Sequence, residues 1–486
     1  MKYFHITFAV FYFVSIVSCQ NKPAVEKTII ETPVEVKEEP VVTESATDSR
    51  YISSDYEQRF GREPHPELPW YHNASIYEIN TRQFSKEGTF AKVTEKLTKI
   101  YSTGVKVIWI MPIHPIGVEN RKGGLGSPYS ISDYKAINPE FGTLEDFKTL
   151  VQTAHDLGLK VIIDWVANHT AFDHVWAKDH LDYYTLKDGK QVVALDLDGN
   201  PTDWTDVADL NYENKDMRAA MIDAMKYWIT ECDIDGFRCD VAGFVPLDFW
   251  IEATTELEKT KKNLFWLAEW DDPKMHEAFK VTYGWAPHHI FNDVAQGKVG
   301  TEKIKENLEE EAKTFPEFAY RMYFTTNHDE NSWNGTIKER MGQNGDAMTA
   351  LAFTIGGMPL LYNGQEAGLD KRLAFFEKDE IDWSDTKKVR FYQKLLILKQ
   401  TNKALWNGEF GGKAKVFLAE GKQFGFTRQR GPDAVLVLSN FDDKMVEVEI
   451  NPQMMPMTDI FTRLQIDFSR AVKIRLQPHA YLVFVN

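Results

Sequence analysis

From Ser75 to Tyr362 the chain alternates short apolar runs with segments of helical periodicity, and this alternation constrains the fold more than any other feature. Ser75-Ile76-Tyr77-Glu78-Ile79-Asn80 reads as a strand, Phe90 to Tyr101 carries a helical repeat, and Val105-Lys106-Val107-Ile108-Trp109-Ile110 reads as a second strand. A helix over Leu144–Leu157 and the strand Lys160-Val161-Ile162-Ile163-Asp164 extend the pattern. Between His169 and about Leu210 the helical period disappears, and a loop of that length inside such a fold is usually functional. The alternation resumes with a helix from Asn214 to Glu231, a strand ending at Asp240 and a helix near Leu247–Leu257. A strand ending at Glu269, a strand at His288–Phe291, a helix near Thr301–Ala312, a strand ending at Asp329 and the strand Met358-Pro359-Leu360-Leu361-Tyr362 complete it. Strand, helix, strand repeats build parallel sheets, and eight strands predict an α/β chain closed into a (β/α)8 TIM barrel.

Several of these strands end on a carboxylate. In Asp235-Gly236-Phe237-Arg238-Cys239-Asp240-Val241-Ala242-Gly243, Arg238 and Asp240 stand two residues apart and point the same way where the strand ends. An arginine so placed holds a carboxylate ionised by charge and hydrogen bonding, as a nucleophile at neutral pH requires. Phe265-Trp266-Leu267-Ala268-Glu269-Trp270 delivers a second acid, and Tyr323-Phe324-Thr325-Thr326-Asn327-His328-Asp329 a third.

With Asp164-Trp165-Val166-Ala167-Asn168-His169 upstream, these stretches resemble the α-amylase family of glycoside hydrolases in motif content, order and spacing, over roughly residues 70–486. The resemblance implies a retaining hydrolase of α-1,4-linked starch-, glycogen- or maltooligosaccharide-type glucans. It assigns Asp240 as nucleophile, Glu269 as general acid/base and Asp329 as the third carboxylate, which binds and distorts the sugar of the first donor subsite. Ala268 and Trp270 give Glu269 an apolar setting, which raises a carboxyl pKa toward the value an acid catalyst needs. Arg238, His169 and His328 match positions around the same subsite, where neutral histidines donate hydrogen bonds to sugar hydroxyls. Tyr129, in Gly126-Ser127-Pro128-Tyr129-Ser130, matches the tyrosine that stacks under that sugar, with Pro128 in place of the usual glycine. The Lys-His pair that many members carry on the leaving-group side is replaced by Gly243 and Phe244, so acceptor contacts must differ. Asn168 and Asp209 match positions that hold a structural calcium in many relatives, and calcium takes oxygen ligands of this kind. Two other outcomes stay open: an α-glucan transglycosylase or debranching enzyme, and a catalytically inactive glycan-binding lipoprotein, against which the intact acids argue.

Lysine and arginine number 56 against 72 aspartates and glutamates, a net charge of −16 that disfavours nucleic acid or an anionic surface as partner. A neutral substrate fits better, and the 13 tryptophans offer rings that can stack on sugars as well as fill a core. Lys2, the apolar body Phe4 to Val17 and Ile16-Val17-Ser18-Cys19 resemble a bacterial lipoprotein signal, which implies cleavage after residue 18, a lipid on Cys19, and export with anchorage to a bacterial membrane. An ordinary secretory signal is the alternative, and the apolar run is short for a membrane-spanning helix. Cys232 and Cys239 read as small buried hydrophobes and not as a disulfide.

The expected organisation is a signal over residues 1–18, a tether without folded structure over 19–60, the barrel over 61–402 with a short domain B at about 170–210, and a C-terminal antiparallel β-sandwich over 403–486. The tether is rich in Glu, Val, Thr, Pro and Lys and poor in aromatics. The sandwich is signalled by alternating runs such as Ala434-Val435-Leu436-Val437-Leu438.

Overall fold

The computed structural model describes residues 29–31 and 68–486. Eight parallel strands close into a barrel in chain order: β1 (Ile76–Ile79), β2 (Val107–Ile110), β3 (Lys160–Trp165), β4 (Gly236–Cys239), β5 (Phe265–Ala268), β6 (Val281–Tyr283), β7 (Tyr320–Tyr323) and β8 (Met358–Tyr362), with β8 pairing back onto β1. Both faces of these strands are buried, so they read as continuous apolar runs. One set of alternate residues, including Ile76, Val107, Trp109, Ile162, Leu267, Val281, Tyr283, Met322 and Leu360, fills the interior. The other, including Tyr77, Ile79, Ile108, Ile110, Ile163 and Phe237, packs outward against the helices. Glu78 lies between Tyr77 and Ile79 on β1, opposite Trp109 in register, and Asp164 of β3 lies opposite Arg238 of β4. Periodicity thus sends three charged side chains into the upper end of an otherwise apolar barrel.

Helices α1 (Phe90–Ser102), α2 (Leu144–Asp156), α3 (Lys215–Cys232) and α4 (Leu247–Leu257) follow the first four strands. Asp146 and Thr143 close a reciprocal cap at the start of α2, and Asn214 accepts from the Asp216 and Met217 amides at the start of α3. The regular alternation breaks after β5, where the connection is the 3₁₀ turn Pro273–Glu277, and β6 is then followed by two helices, α5 (Trp285–Ala295) and α6 (Glu302–Thr314). The strand expected at His288–Phe291 is therefore a correction. Those residues lie inside α5, whose buried Pro287, His288, Phe291 and Val294 follow a helical period, and the sixth strand is the three-residue Val281–Tyr283, cut short at Gly284. Helices α7 (Gly345–Thr354) and α8 (Val389–Thr401) complete the ring.

After β3 the chain makes a short excursion in which His169–Ala171 pairs antiparallel with Val207–Asp209, and Leu186–Lys187 with Lys190–Gln191. Beyond α8 comes a two-sheet sandwich. Its six-stranded sheet runs in the order Lys415–Glu420, Gln423–Arg430, Asp433–Asn440, Tyr481–Val485, Met457–Asp459 and Gln465–Ile466. The facing sheet holds Val446–Ile450 and Val472–Leu476, and Leu436, Leu438 and Phe484 meet Ile450, Ile474 and Leu476 between the layers. Its third strand is Ile29–Glu31, parallel to Val472–Leu476. The segment expected to carry no folded structure thus contributes a strand, because its backbone can complete an otherwise unpaired sheet edge whatever its composition. Cys19 and the signal lie outside the described residues. Cys232 and Cys239 are free and buried, and none of the described helices is long and apolar enough to cross a membrane.

Candidate active site

Arg238 is the hub of the barrel mouth. Fully buried, its guanidinium places Nη1 2.8 Å from Asp164 Oδ1 and 2.9 Å from Asp240 Oδ1, Nη2 2.7 Å from Glu269 Oε1, and donates from Nε to the Tyr283 hydroxyl at 3.2 Å. The ring faces of Trp109 and Tyr283 flank it, 4.9 and 5.6 Å from the guanidinium carbon. One cation therefore serves three carboxylates from β3, β4 and β5. Asp164 also accepts from Trp109 Nε1 at 3.1 Å and from the Tyr129 hydroxyl at 3.2 Å.

The backbone after Asp240 completes the arrangement. Val241 is held at φ 34°, ψ 48°, a left-handed conformation that a β-branched residue adopts only under strain. In that conformation its N–H donates to Glu269 Oε2 at 2.9 Å. Glu269 is thus gripped through both oxygens, one by Arg238 and one by the peptide that follows Asp240.

Burial governs the proton affinities. It pushes Glu269 up to about 7 against the pull of Arg238, with Asp240 and Asp329 adding to the rise. It pushes Asp240 to about 6, opposed by Arg238 and assisted by Asp164, and Asp164 likewise to about 6. The expectation that Arg238 simply holds Asp240 ionised is corrected in degree, since a cation divided among three carboxylates does not cancel their desolvation. The order of the two strand-end acids still puts the proton on Glu269 before Asp240.

Asp329, with a side chain 35% exposed, faces the opening, while its neighbour His328 is buried. The two expected sugar-binding histidines differ in charge. Burial drives His169 down to about 3, a neutral ring beside the Asn168 amide. At His328 burial acts in the same sense, but Asp329 and Glu78 outweigh it and carry the ring up to about 9, so the expected neutral state is corrected there. Tyr129 stacks near-parallel to His328 at 5.5 Å and to Phe375 at 6.1 Å. Trp333, in the π-helical turn Glu330–Asn334 that follows Asp329, packs on Phe375 and remains 51% exposed at the rim.

Gly243 and Phe244 lie on the other flank. A Cβ on Gly243 would fall inside the Trp270 indole, so glycine lets that ring lie against the backbone. Phe244 stacks on Trp204 at 5.9 Å and meets Trp270 edge-on at 5.5 Å, and Trp204 in turn lies 5.5 Å from His169. All three aromatic rings are half-exposed. An aromatic wall stands where Gly243 and Phe244 replace the charged pair.

Asn168 and Asp209, the expected calcium ligands, are brought side by side, since His169 pairs with Asp209 across the excursion. Asp209 Oδ2 accepts from the Thr185 hydroxyl at 2.6 Å and Oδ1 from the Leu195 amide at 3.0 Å, and the Asn168 amide nitrogen turns to His169. Among the described residues no cluster of three or more histidine, cysteine, aspartate or glutamate side chains could hold a metal ion.

Sequence reasoning quoted Asp164 and Glu78 without giving either a role. Their signal was a carboxylate at an inward-facing position of a strand buried on both faces, where an unpaired charge is not tolerated.

The α-amylase catalytic domain model matches residues 48–282. The chain is 30% identical to a maltogenic α-amylase from Thermotoga neapolitana, superposing with a TM-score of 0.77 over 85% of this chain and 99% of that one. An α-amylase from Lactobacillus plantarum, also 30% identical, gives 0.75 over 86% and 100%. Alpha-amylase 3 of Dictyoglomus thermophilum is 28% identical over 376 residues, which is 69% of this chain and 72% of that one. Likeness at 30% identity over 85% of this chain, on a barrel whose strand ends converge on three acids and one arginine, places the chain in the α-amylase family of glycoside hydrolases.

Proposed function

We propose that the chain cleaves α-1,4-glucosidic bonds of starch-, glycogen- or maltooligosaccharide-type glucans by double displacement with retention. Asp240 attacks the anomeric carbon as the proton of Glu269 passes to the departing sugar oxygen. Water, deprotonated by Glu269, then attacks the glycosyl–Asp240 ester and returns the proton to Glu269. Asp329 and His328 sit where hydroxyls of the donor sugar would be held, and the Trp204, Phe244 and Trp270 rings offer faces on which a sugar on the leaving-group side can stack. The observation that carries this reading is the single buried guanidinium joining Asp240 and Glu269, with Glu269 the stronger proton holder of the two.

The two acids are separable by leaving group. Fluoride departs with little protonation, so Glu269→Ala keeps much of its first-step rate on α-maltosyl fluoride, and added azide, which needs no base, attacks the β-glycosyl ester of Asp240 and restores turnover as an α-glycosyl azide. Asp240→Ala has no carboxylate to form the ester and loses roughly 10³-fold or more whatever leaves. Identical responses of the two variants, or a β-glycosyl azide from Glu269→Ala, would overturn the assignment.

A further inference from the structure

Glu78 is a carboxylate of the barrel interior to which neither the sequence motifs nor the proposed displacement gives a task, and unlike Asp164 it has no ion pair with Arg238. It is fully buried on β1, among Ile76, Trp109 and Tyr283, and its Oε1 lies 2.5 Å from His328 Nδ1. Its Oε2 has no protein donor. A carboxylate so placed is costly unless its one partner repays it, and a wholly apolar residue would pack the barrel more cheaply.

The far nitrogen of the same imidazole shows what that partner receives. His328 Nε2 is 2.7 Å from the Tyr129 hydroxyl and 3.3 Å from Asp329 Oδ2. Tyr129 is also 3.2 Å from Asp164 Oδ2, an acceptor when ionised, so its own proton is directed there. With that proton directed to Asp164 the tyrosine oxygen is free to accept from His328, and the Asp329 carboxylate on the same side of the ring is an acceptor as well, so both call for a proton on Nε2. The carboxylate of Glu78 requires one on Nδ1. A neutral imidazole has a single N–H and cannot satisfy both sides.

We propose that Glu78 is a positioning residue for the glycosidase reaction: by binding Nδ1 it fixes the His328 ring as an imidazolium and presents Nε2–H beside Asp329 as a donor to a hydroxyl of the donor sugar. The inference rests on the reading of this mouth as a sugar-cleaving site. The other groups facing the pair are Asp329, which favours the cation, Arg238, which opposes it, Asp164 across Tyr129, and the hydroxyls of Tyr129, Tyr283 and Tyr362. Burial alone would strip the ring of its second proton, and the two flanking carboxylates prevent this. In this scheme Glu78 touches neither substrate nor reacting atoms and acts only through His328.

The test reads the charge of His328 directly. In full-length protein labelled with ¹⁵N-histidine, the His328 resonances, assigned by their loss in His328→Gln, should show both ring nitrogens protonated at pH 7.5 and titrate near pH 9. In Glu78→Gln, matched in shape, the ring should be neutral at pH 7.5. With α-maltosyl fluoride, which bypasses the proton from Glu269, wild-type kcat/KM should hold from pH 7 to about 9, while Glu78→Gln should decline from near neutrality and Glu78→Asp should recover part of the loss. A neutral His328 in the wild type overturns the inference whether or not the chain cleaves any glucan and whether or not Glu78→Gln folds. So does an unchanged pH profile in a folded Glu78→Gln. Absence of activity on every α-glucan and fluoride donor, with His328 cationic, would instead remove the sugar-donor role and the proposed reaction together.

Discussion

Asp240, Glu269 and Asp164 compete for one guanidinium, and the competition leaves its mark on pH dependence. In the proposed reaction the productive form has Glu269 protonated and Asp240 ionised, and with affinities near 7 and 6 that form dominates only in the interval between them. Because the groups interact, the two limbs belong to the cluster as a whole. For a maltooligosaccharide, kcat/KM should peak between about pH 6 and 7 and fall on both sides. With α-maltosyl fluoride and Glu269→Ala the alkaline limb should vanish while the acid limb remains, and an alkaline limb near 7 in that variant would contradict the roles. Asp240, Glu269, Asp329, Arg238, Tyr129 and His328 each stand in a run of recognisable spacing, which makes them candidates from the sequence, and the structure brings them together at the barrel mouth. The charge proposed for His328 is not legible from those runs, since beside its neighbour Asp329 it rests on Glu78, which is 250 residues away in sequence and 2.5 Å away in space.

At the scale of elements, the start of β4 shows how a strand of this barrel is held in place. Asp235, 3% exposed just before β4, accepts from His155 Nε2 of α2 at 2.7 Å, from Lys160 at 3.0 Å and from the Val161 amide of β3 at 2.9 Å, with Lys261 3.1 Å away. Burial works against its charge, but these partners prevail and hold it down to about 2. Its folded pKa lies below the ordinary value near 3.9, so it stabilises the fold fully above that value, and the contribution is lost as pH falls toward 2. Asp235→Asn should cost about 2–3 kcal/mol at pH 7 and flatten the loss of stability between about pH 5 and 2, measured by denaturant unfolding at a series of pH values. An equal loss at pH 7 and pH 2 would assign the effect to packing. The element misread from sequence was β6, for a physical reason. Three residues give no period to detect, whereas His288–Phe291 offers four apolar or half-apolar positions whose helical spacing emerges only when the window extends to Pro287 and Val294.

At the scale of the whole molecule, the sandwich is sewn to the barrel by two buried basic side chains, Arg428 and Lys399, that pair with no carboxylate among the described residues. Arg428 donates to the carbonyls of Gly412, Thr354 and Trp406 at 2.6, 3.0 and 3.1 Å, and Lys399 to Gly357, Leu405 and the Asn407 side chain. Asn407 reaches on to the Tyr71 and Ala74 carbonyls at the foot of β1. This seam was invisible in the sequence because every acceptor except Asn407 is a backbone carbonyl. The rim of the mouth is joined in a similar way. The loop after β2 ties to the excursion after β3 through Lys122, which donates to the Asp203 carbonyl at 2.8 Å and lies 3.4 Å from Asp206. It ties to the loop after β8 through the Gly124 amide on Glu377 at 2.5 Å and the Leu125 amide on the Phe376 carbonyl at 3.1 Å. That loop is in turn held by Gln83, just beyond β1, whose side chain donates to the Ala374 and Glu377 carbonyls. The consequence is one of time. A rim already fastened across four connections needs no closing motion before reaction, so a saccharide should enter in a single concentration-dependent step without a slower isomerisation behind it. Stopped-flow tryptophan fluorescence with maltotetraose and the inactive Asp240→Ala protein should then give one exponential whose rate rises linearly with sugar. Lys122→Ala, which frees one end of the strap, should add a second phase that reaches a plateau, and a plateau already present with Lys122 intact would mean that the fastened rim opens and shuts on the reaction's own clock.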